Sequence, residues 1–136
     1  MKNNHPEIVE KRSDCPLSRT LDLIGDKWSL LIIRDMLFFG KNTYNAFLDS
    51  AEKISTNILN DRLIKLAATG LIDYNGPDKR KKYILTPMGR DLKPILEAFG
   101  MYGSKHFRGA KEYLNEQMAL AKVKPPKADS KRRATK

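Results

Sequence analysis

Cysteine is nearly absent from this chain of 136 residues, in which Cys15 is the single example. One cysteine excludes a disulfide framework within the chain and is typical of proteins kept in a reducing compartment. Long apolar runs are lacking too. No run approaches the roughly 20 residues of a membrane span, and the polar N-terminus has no secretory apolar region. We therefore expect a cytoplasmic protein without a membrane partner.

Patterns that carry catalysis or hold metals and cofactors are also missing. The two histidines, His5 and His106, lie far apart, and there is no CxxC pair, glycine-rich phosphate loop or paired-carboxylate motif. We expect no catalytic residues, no metal and no cofactor. An enzyme that uses Cys15 as nucleophile remains an alternative, although no histidine lies at a motif spacing from it.

Negative charge is in short supply. The chain has 26 Lys and Arg against 16 Asp and Glu, a net charge of +10, which favours polyanionic partners. Residues 122–136 contribute seven basic residues and Asp129, or +6, which leaves +4 for residues 1–121. This basic tail would add non-specific affinity for nucleic acid, but a role in solubility explains it equally well.

Apolar residues at helical spacing predict four helices in the first half of the chain. Their starts are marked by residues suited to a helix N-terminus, namely Pro16, Asp26, Thr43 and Ser55. The second helix has almost no polar face and should be central. The fourth has an apolar stripe and a polar outward face, and Gly70 ends it with a left-handed C-terminal residue.

After Gly70 the pattern changes to that of a short hairpin. Its predicted strands are Leu71–Tyr74 and Lys82–Leu85, joined by turn residues. Thr86 and Pro87 then open a long helix, which Pro94 should kink or restart. We predict a mainly α fold with a small β-hairpin wing, a winged helix-turn-helix with a long C-terminal dimerisation helix. The expected parts are a flexible N-terminal arm (1–14), the DNA-binding and dimerisation domain (15–107), an amphipathic helix (108–123) and a disordered basic tail (124–136).

The fourth helix and the hairpin tip are the predicted double-stranded DNA contacts. A short turn before the fourth helix lets it lie in a major groove about 12 Å wide. We expect Thr56, Asn57 and Asn60 to read bases. The remaining predicted contacts are Ser55 at the helix start, Arg62 and Lys65 nearer phosphates, and the tip cations Lys79, Arg80, Lys81 and Lys82. Strand geometry would alternate the directions of the tip cations; the alternative is a solvated charge run.

Several groups of residues together carry a family resemblance: Cys15-Pro16-Leu17, the run from Thr20 to Trp28, Ile54-Ser55, Gly70-Leu71-Ile72, the run from Leu85 to Arg90, and Tyr102-Gly103. Through them the chain resembles the HxlR family of bacterial winged-helix regulators, which is related to the MarR group. The resemblance implies a homodimer, held by the first and the long C-terminal helices, that binds two-fold-related DNA half-sites.

The apolar stripe that runs from Leu92 to Phe107 agrees with that dimer. The stripe offers more apolar surface than one small domain needs, which is typical of a partner surface. The alternative is a helix folded back on its own core. The predicted interface residues are Leu17, Leu92, Ile95, Leu96, Phe99, Tyr102, His106 and Phe107.

Cys15 is a candidate redox sensor. In some members of the family it resembles, the cysteine at this position senses electrophiles or oxidants. The positive end of a helix favours a thiolate; Arg12 and Arg19 would help, while Asp14 would oppose. The alternative is a small packing residue with no sensory role.

Taken together, the sequence predicts a sequence-specific transcriptional regulator. We expect a repressor that acts as a homodimer on a palindromic operator, with a small electrophile or oxidant as its effector. The alternative is a non-specific or architectural nucleic-acid-binding protein. The two differ in the ratio of specific to non-specific affinity. A sequence-specific regulator binds its site about 10³-fold, or more, tighter than it binds random DNA.

Overall fold

The computed structural model describes residues 9–123, which form seven α-helices and a two-stranded antiparallel sheet. The predicted basic tail and most of the predicted N-terminal arm lie outside these residues. The elements, in chain order, are α1 (Pro16–Ile24), α2 (Ser29–Phe38), α3 (Tyr44–Leu48), α4 (Thr56–Ala68), β1 (Ile72–Asn75), β2 (Lys82–Leu85), α5 (Pro87–Arg90), α6 (Lys93–His106) and α7 (Ala110–Val123).

Side-chain caps fix the starts of α3 and α4, as the sequence predicts. The Thr43 hydroxyl accepts a hydrogen bond from the N–H of Ala46 at 3.1 Å, and Ser55 accepts one from Ile58 at 3.2 Å. Each cap satisfies a backbone donor that has no partner inside its helix. At the other end of α4, Gly70 has a φ of 88°, which confirms the predicted left-handed stop.

The core lies where α2, α3 and α4 meet the hairpin. The side chains of Ile33 and Leu59 are completely buried. The ring of Phe47 lies 5.9 Å from that of Tyr83, which joins α3 to β2. Further buried residues of this core are Ile24, Ile32, Leu63, Leu66, Leu71 and Ile72. The core therefore holds α4 by its inner face and leaves its outer face free.

The hairpin is anchored at its base. Its register pairs Ile72 with Leu85 and Asn75 with Lys82. The first strand begins and ends one residue later than predicted. The Thr86 hydroxyl donates to the carbonyl of Gly70 at 2.6 Å and accepts from the N–H of Gly89 at 3.1 Å. One side chain thus joins the end of α4, the hairpin and the start of α5.

The hairpin tip differs from the prediction. Asp78–Arg80 form a single 3-10 turn, so the directions of Lys79 and Arg80 do not alternate as they would in a strand. Gly76 makes this turn possible, because its φ is 93° and a Cβ there would lie 2.7 Å from the carbonyl oxygen of Arg80. A short connection between paired strands therefore imposes turn geometry on the cations.

The predicted long helix is two helices. α5 ends at Arg90 and α6 begins at Lys93, with Pro94 in its first turn, so proline restarts the helix as expected. Leu92 lies at this break and is only 6% exposed, so its predicted place in a dimer interface does not fit the structure. The break turns its side chain into the core. Within residues 9–123, no helix combines the length and apolar character that crossing a membrane requires.

Candidate nucleic-acid interface

The N-terminal half of α4 presents small polar side chains outward. Thr56, Asn57 and Asn60 are all exposed, while Leu59 and Leu63 on the other side of the helix are buried. The hydroxyl of Tyr44 donates to the carbonyl of Thr56 at 3.3 Å, which ties the first turn of α4 to α3. Ser55 uses its hydroxyl as the cap of α4. The predicted base-reading residues are therefore together on one accessible surface.

Asp26 holds α4 against the start of α2. Its carboxylate accepts hydrogen bonds from the N–H groups of Trp28 and Ser29, each at 2.9 Å, and from Nε of Arg62 at 3.0 Å. Burial opposes the charge of Asp26, but the hydrogen bonds from Ser29, Arg62 and Trp28 outweigh it and lower its pKa from 3.8 to about 2. This ion pair fixes the position of α4 relative to α2.

Arg62, which was expected to lie near DNA phosphates, is consequently engaged within the protein. Its guanidinium is bound by Asp26 and Asp61, and its side chain is 24% exposed. The hydrogen bond to Asp26, which outweighs the effect of burial, raises the pKa of Arg62. A cation already paired with two carboxylates is a weak phosphate ligand, so we assign Arg62 to positioning α4. Lys65, one turn further along, is half-buried and makes no ion pair within residues 9–123.

A second ionic network holds the turn between α3 and α4. Arg34 of α2 donates to both carboxylate oxygens of Glu52, at 2.8 and 2.9 Å, and also to Asp35 at 2.7 Å. Asp35, which is 3% exposed, accepts a short hydrogen bond from the Ser50 hydroxyl, and Lys41 donates to the same hydroxyl at 3.1 Å. The network connects a central helix to the turn that orients α4.

The protonation states in this network favour the pairing. Burial works against the charge of Arg34, but its hydrogen bonds to Glu52 and Asp35 and their charges outweigh burial, so the pKa of Arg34 is raised. The same hydrogen bond from Arg34 is the main cause of the lowered pKa of Glu52. Arg34 and Glu52 are thus held in their charged forms at neutral pH.

The cations of the hairpin tip fall into two groups. Lys79 and Arg80 are exposed and make no ion pair with any residue in the described part of the chain. Nζ of Lys81 lies 4.4 Å from the ring centroid of Tyr74 and 3.9 Å from Asp78, and Lys82 is half-buried in β2 opposite Asn75. Lys79 and Arg80 are therefore the tip cations best placed for a phosphate.

The arrangement of capped helices, turn, outward α4 and cationic hairpin agrees with comparisons to known proteins. A family model described as HxlR-like helix-turn-helix matches residues 23–111. This chain belongs to the HxlR family.

Curated relatives of this HxlR protein are HTH-type transcriptional regulators. The regulator sll1512 of Synechocystis is 37% identical over 93 residues, which are 66% of this chain and 68% of that protein. YybR of Bacillus subtilis is 31% identical over 102 residues, which are 73% of this chain and 81% of YybR. The matched segments include the helix-turn-helix, so the relatives agree with the family match.

Solved structures resemble this HxlR chain as well. A crystal structure described as that of a transcription factor, PA1607, has a TM-score of 0.65 and 37% identity, and the match covers 71% of this chain and 68% of that one. The redox regulator HypR in its reduced form has a TM-score of 0.59 and 26% identity, covering 72% of this chain and 99% of HypR. The chain is therefore a DNA-binding, winged helix-turn-helix transcription regulator.

The HxlR chain exposes apolar side chains on α1 and α6. Leu17 is 68% exposed, Phe99 61%, Tyr102 64% and Phe107 62%. The centroid of the His106 ring lies 4.6 Å from that of Tyr102, and the two rings are tilted by 41°. Ile95 and Leu96, by contrast, are partly buried against the core. The predicted stripe thus divides into a half that completes the core and a half that faces outward.

Cys15 is exposed and occupies the N-cap position of α1. Its N–H donates to the Ser13 hydroxyl at 3.2 Å, and its carbonyl accepts the N–H of Arg19 at 2.9 Å. Arg12 does not serve the thiol as expected, because its Nε donates to Asp22 at 2.6 Å. The thiol is accessible to a reagent, while Arg12, one of the two predicted helpers, is paired with Asp22.

Sequence reasoning missed the two ionic networks. A signal for one was present: Arg34 and Asp35 are charged residues inside a nearly all-apolar helix, where burial demands a partner. Nothing marked Glu52 and Ser50 as those partners, because the contact depends on how the turn folds back. Within residues 9–123, no group of His, Cys, Asp and Glu side chains is arranged to hold a metal ion.

Proposed function

We propose that this regulator is a sequence-specific repressor that binds a palindromic operator as a homodimer. One observation carries the proposal: the exposed polar residues Thr56, Asn57 and Asn60 lie together on α4, which the core and two ionic networks hold in place. Amide and hydroxyl groups on a rigid helix suit hydrogen bonding to base edges in a major groove. A non-specific binder has no need of such a surface.

The DNA contacts divide by chemistry. Thr56, Asn57 and Asn60 read bases. Ser55 caps the N-terminus of α4, whose free N–H groups face the phosphate backbone of the DNA. Lys65, Lys79, Arg80 and Lys82 contact phosphates or the minor groove, while Lys81 stays over Tyr74. This division supports a complex in which the hairpin adds affinity and α4 adds discrimination.

The homodimer is supported by outward apolar residues of α1 and of α6 with its C-cap. Leu17, Tyr102 and Phe107 are each more than 60% exposed. The rings of Tyr102 and Phe107 lie 6.4 Å apart, and exposed apolar patches mark a partner surface. A two-fold dimer would present two copies of α4 to half-sites about one helical turn apart.

Selection of bound duplexes from a random DNA pool tests this function. It is performed on the full chain at about 0.15 M salt, where non-specific phosphate binding is weak. We expect enrichment of a palindromic motif. If no motif is enriched, and if binding disappears when residues 122–136 are removed, the chain is the non-specific nucleic-acid binder that its basic tail would also explain.

We also propose that Cys15 makes operator binding redox-responsive. The thiol is exposed at the start of α1, and the similar structure of HypR is that of a redox regulator. Diamide would take two electrons and two protons from the Cys15 thiols of two protomers, forming an intersubunit disulfide; with another thiol the product would be a mixed disulfide.

Operator titration before and after diamide treatment tests the redox proposal. We expect the affinity of the unmodified chain to change and that of Cys15→Ser to stay constant. Serine keeps the size and position of the side chain, so it is the matched control. Equal responses of the two proteins would show that Cys15 is a packing residue.

A further inference from the structure

An apolar groove lies between α2, α6 and α7, away from the DNA-reading surface. Its volume is about 1030 Å³, and its walls include Leu31 and Phe38 of α2, Leu96 of α6, and Leu114 and Met118 of α7. Small-molecule sites commonly have volumes of about 300 to 1,000 Å³ and mostly apolar walls. The groove therefore has the size and lining of a ligand site.

The wall formed by α7 is a feature of this chain beyond the family match. The HxlR model ends at residue 111, whereas α7 continues to Val123 and provides Leu114 and Met118. On α6 the groove is lined by Phe99, Gly100, Met101 and Ser104, but not by the outward residues Tyr102 and Phe107. The groove and the proposed dimer surface thus meet at Phe99, which is 61% exposed.

Two exposed lysines are among the residues that line the groove. Lys105 and Lys111 line it, both are exposed, and neither makes an ion pair within residues 9–123. Glu97 also lines the groove, but its Oε2 lies 4.0 Å from Nζ of Lys93. Arg34 also lines the groove and is compensated by Glu52 and Asp35. Two uncompensated cations beside an apolar wall match an occupant with an apolar body and one negative charge.

We propose that this groove binds a small amphipathic anion, an aliphatic or aromatic body that carries one carboxylate or sulfonate. The apolar body lies against Leu114 and Met118, and the anionic group faces Lys105 and Lys111. The chain's own tail does not suit the site, because residues 122–136 carry a net charge of +6. A helix from a second copy would fill the apolar wall but leave the two lysines uncompensated.

Arg34 gives the groove a connection to the DNA-reading helix. Arg34 lines the groove, and its guanidinium donates to Glu52 in the turn before α4 at 2.8 and 2.9 Å. An anion that enters deeply competes with Glu52 for Arg34 and loosens this turn. This second step rests on the proposed function, whereas binding of the anion does not.

Fluorescence titration with 8-anilinonaphthalene-1-sulfonate, an aromatic sulfonate, tests the site on the full chain. We expect saturable binding of one molecule per chain and displacement by decanoate at lower concentration than by the neutral decan-1-ol. Lys105→Glu/Lys111→Glu should weaken the sulfonate and decanoate roughly 10-fold and leave decan-1-ol unchanged. The matched control, Lys27→Glu/Lys79→Glu, changes net charge equally at positions that neither line the groove nor pair with a residue that lines it.

Two α7 variants locate the binding. Met118→Trp fills the groove with apolar volume and should abolish sulfonate binding, whereas Ala119→Glu on the exposed side of α7 should not, provided that circular dichroism shows equal helicity. If decan-1-ol competes as well as decanoate, or Met118→Trp binds normally, the proposal is wrong. If Met118→Trp instead makes a dimer monomeric, the groove is an interface between copies and the proposal is also wrong.

A DNA titration separates the site from its coupling. With decanoate present, we expect the affinity for the selected operator to fall several-fold, and to stay constant in Lys105→Glu/Lys111→Glu. If the sulfonate binds but decanoate leaves the operator affinity unchanged, the binding site is supported and its coupling through Arg34 is wrong. Failure to select any operator would overturn the proposed function but leave the fluorescence result intact.

Discussion

Asn57 lies in the first turn of α4 with its side chain exposed, where an amide can bind an adenine edge with two hydrogen bonds. We predict that Asn57→Ala lowers affinity for the selected operator by about 1 to 3 kcal/mol and leaves random DNA unaffected. Competition titrations with both duplexes measure this. Asn115→Ala, an amide deletion on α7, is the control, and an equal loss on both duplexes would make Asn57 a backbone contact.

Asp26 predicts a pH dependence of stability. Its folded pKa of about 2 lies below the ordinary 3.8, so its contribution is complete above the ordinary value and is lost as the pH falls toward 2. At neutral pH, Asp26→Asn should cost about 1 to 2 kcal/mol, since charge-assisted hydrogen bonds from Ser29 and Arg62 are weakened. The difference from the unmodified chain should shrink between about pH 4 and pH 2.

Urea unfolding at a series of pH values measures the effect of Asp26→Asn. Asp78→Asn is the control, because the Asp78 side chain is 98% exposed and its nearest cation lies 3.9 Å away. A difference between Asp26→Asn and the unmodified chain that stays constant down to pH 2 would mean that the carboxylate charge contributes nothing.

At the scale of elements, the helix starts were the most predictable part of the fold. Thr43, Ser55 and Thr86 cap α3, α4 and α5 because their hydroxyls reach an N–H three residues ahead, a purely local interaction. The restart at Pro94 was predictable for the same reason. The burial of Leu92 was not, because it depends on the direction in which the chain leaves the break between α5 and α6.

The site was predictable in outline and not in detail. The period of α4 indicated which side chains point outward, but the pairing of Arg62 with Asp26 joins residues on different helices. The same holds for Arg34 and Glu52, which are 18 positions apart. Such contacts depend on tertiary packing, and the 3-10 turn at Asp78–Arg80 depends on the strand register, neither of which a local pattern encodes.

The hairpin tip supports a prediction about salt. Lys79 and Arg80 are exposed, so Lys79→Ala/Arg80→Ala should weaken binding to every sequence and reduce the slope of log K against log salt by about 1 to 2, roughly 0.9 per phosphate contact. Titrations between low and high salt measure the slope. Lys27→Ala/Lys93→Ala removes the same charge elsewhere, and if it changes the slope equally, the effect comes from net charge.

At the scale of the whole molecule, the outward apolar residues of α6 predict an assembly. Tyr102→Glu/Phe107→Glu places charge on two side chains that are 64% and 62% exposed, so the monomer should still fold while a dimer separates. Sedimentation equilibrium should give the mass of a monomer for this variant and the mass of a dimer for the unmodified chain. Operator affinity should fall, because linked half-site binding is lost.

Leu120→Glu is the matched control for the dimer. Leu120 is 53% exposed on α7 and lines neither the groove nor the outward face of α6. It should leave the mass unchanged. A monomeric unmodified chain would remove the homodimer from the proposed function but not the DNA contacts of α4.

The anchored base of the hairpin limits what binding must immobilise. The side chain of Thr86 and the bond from the N–H of Tyr83 to the carbonyl of Asn42, at 2.9 Å, fix the strands before any DNA arrives. Only the exposed side chains of the tip, such as Lys79 and Arg80, remain to be ordered, at up to about 2 kcal/mol for each side chain. A regulator that scans long stretches of a chromosome thus pays little entropy at each wrong site, and can leave it quickly.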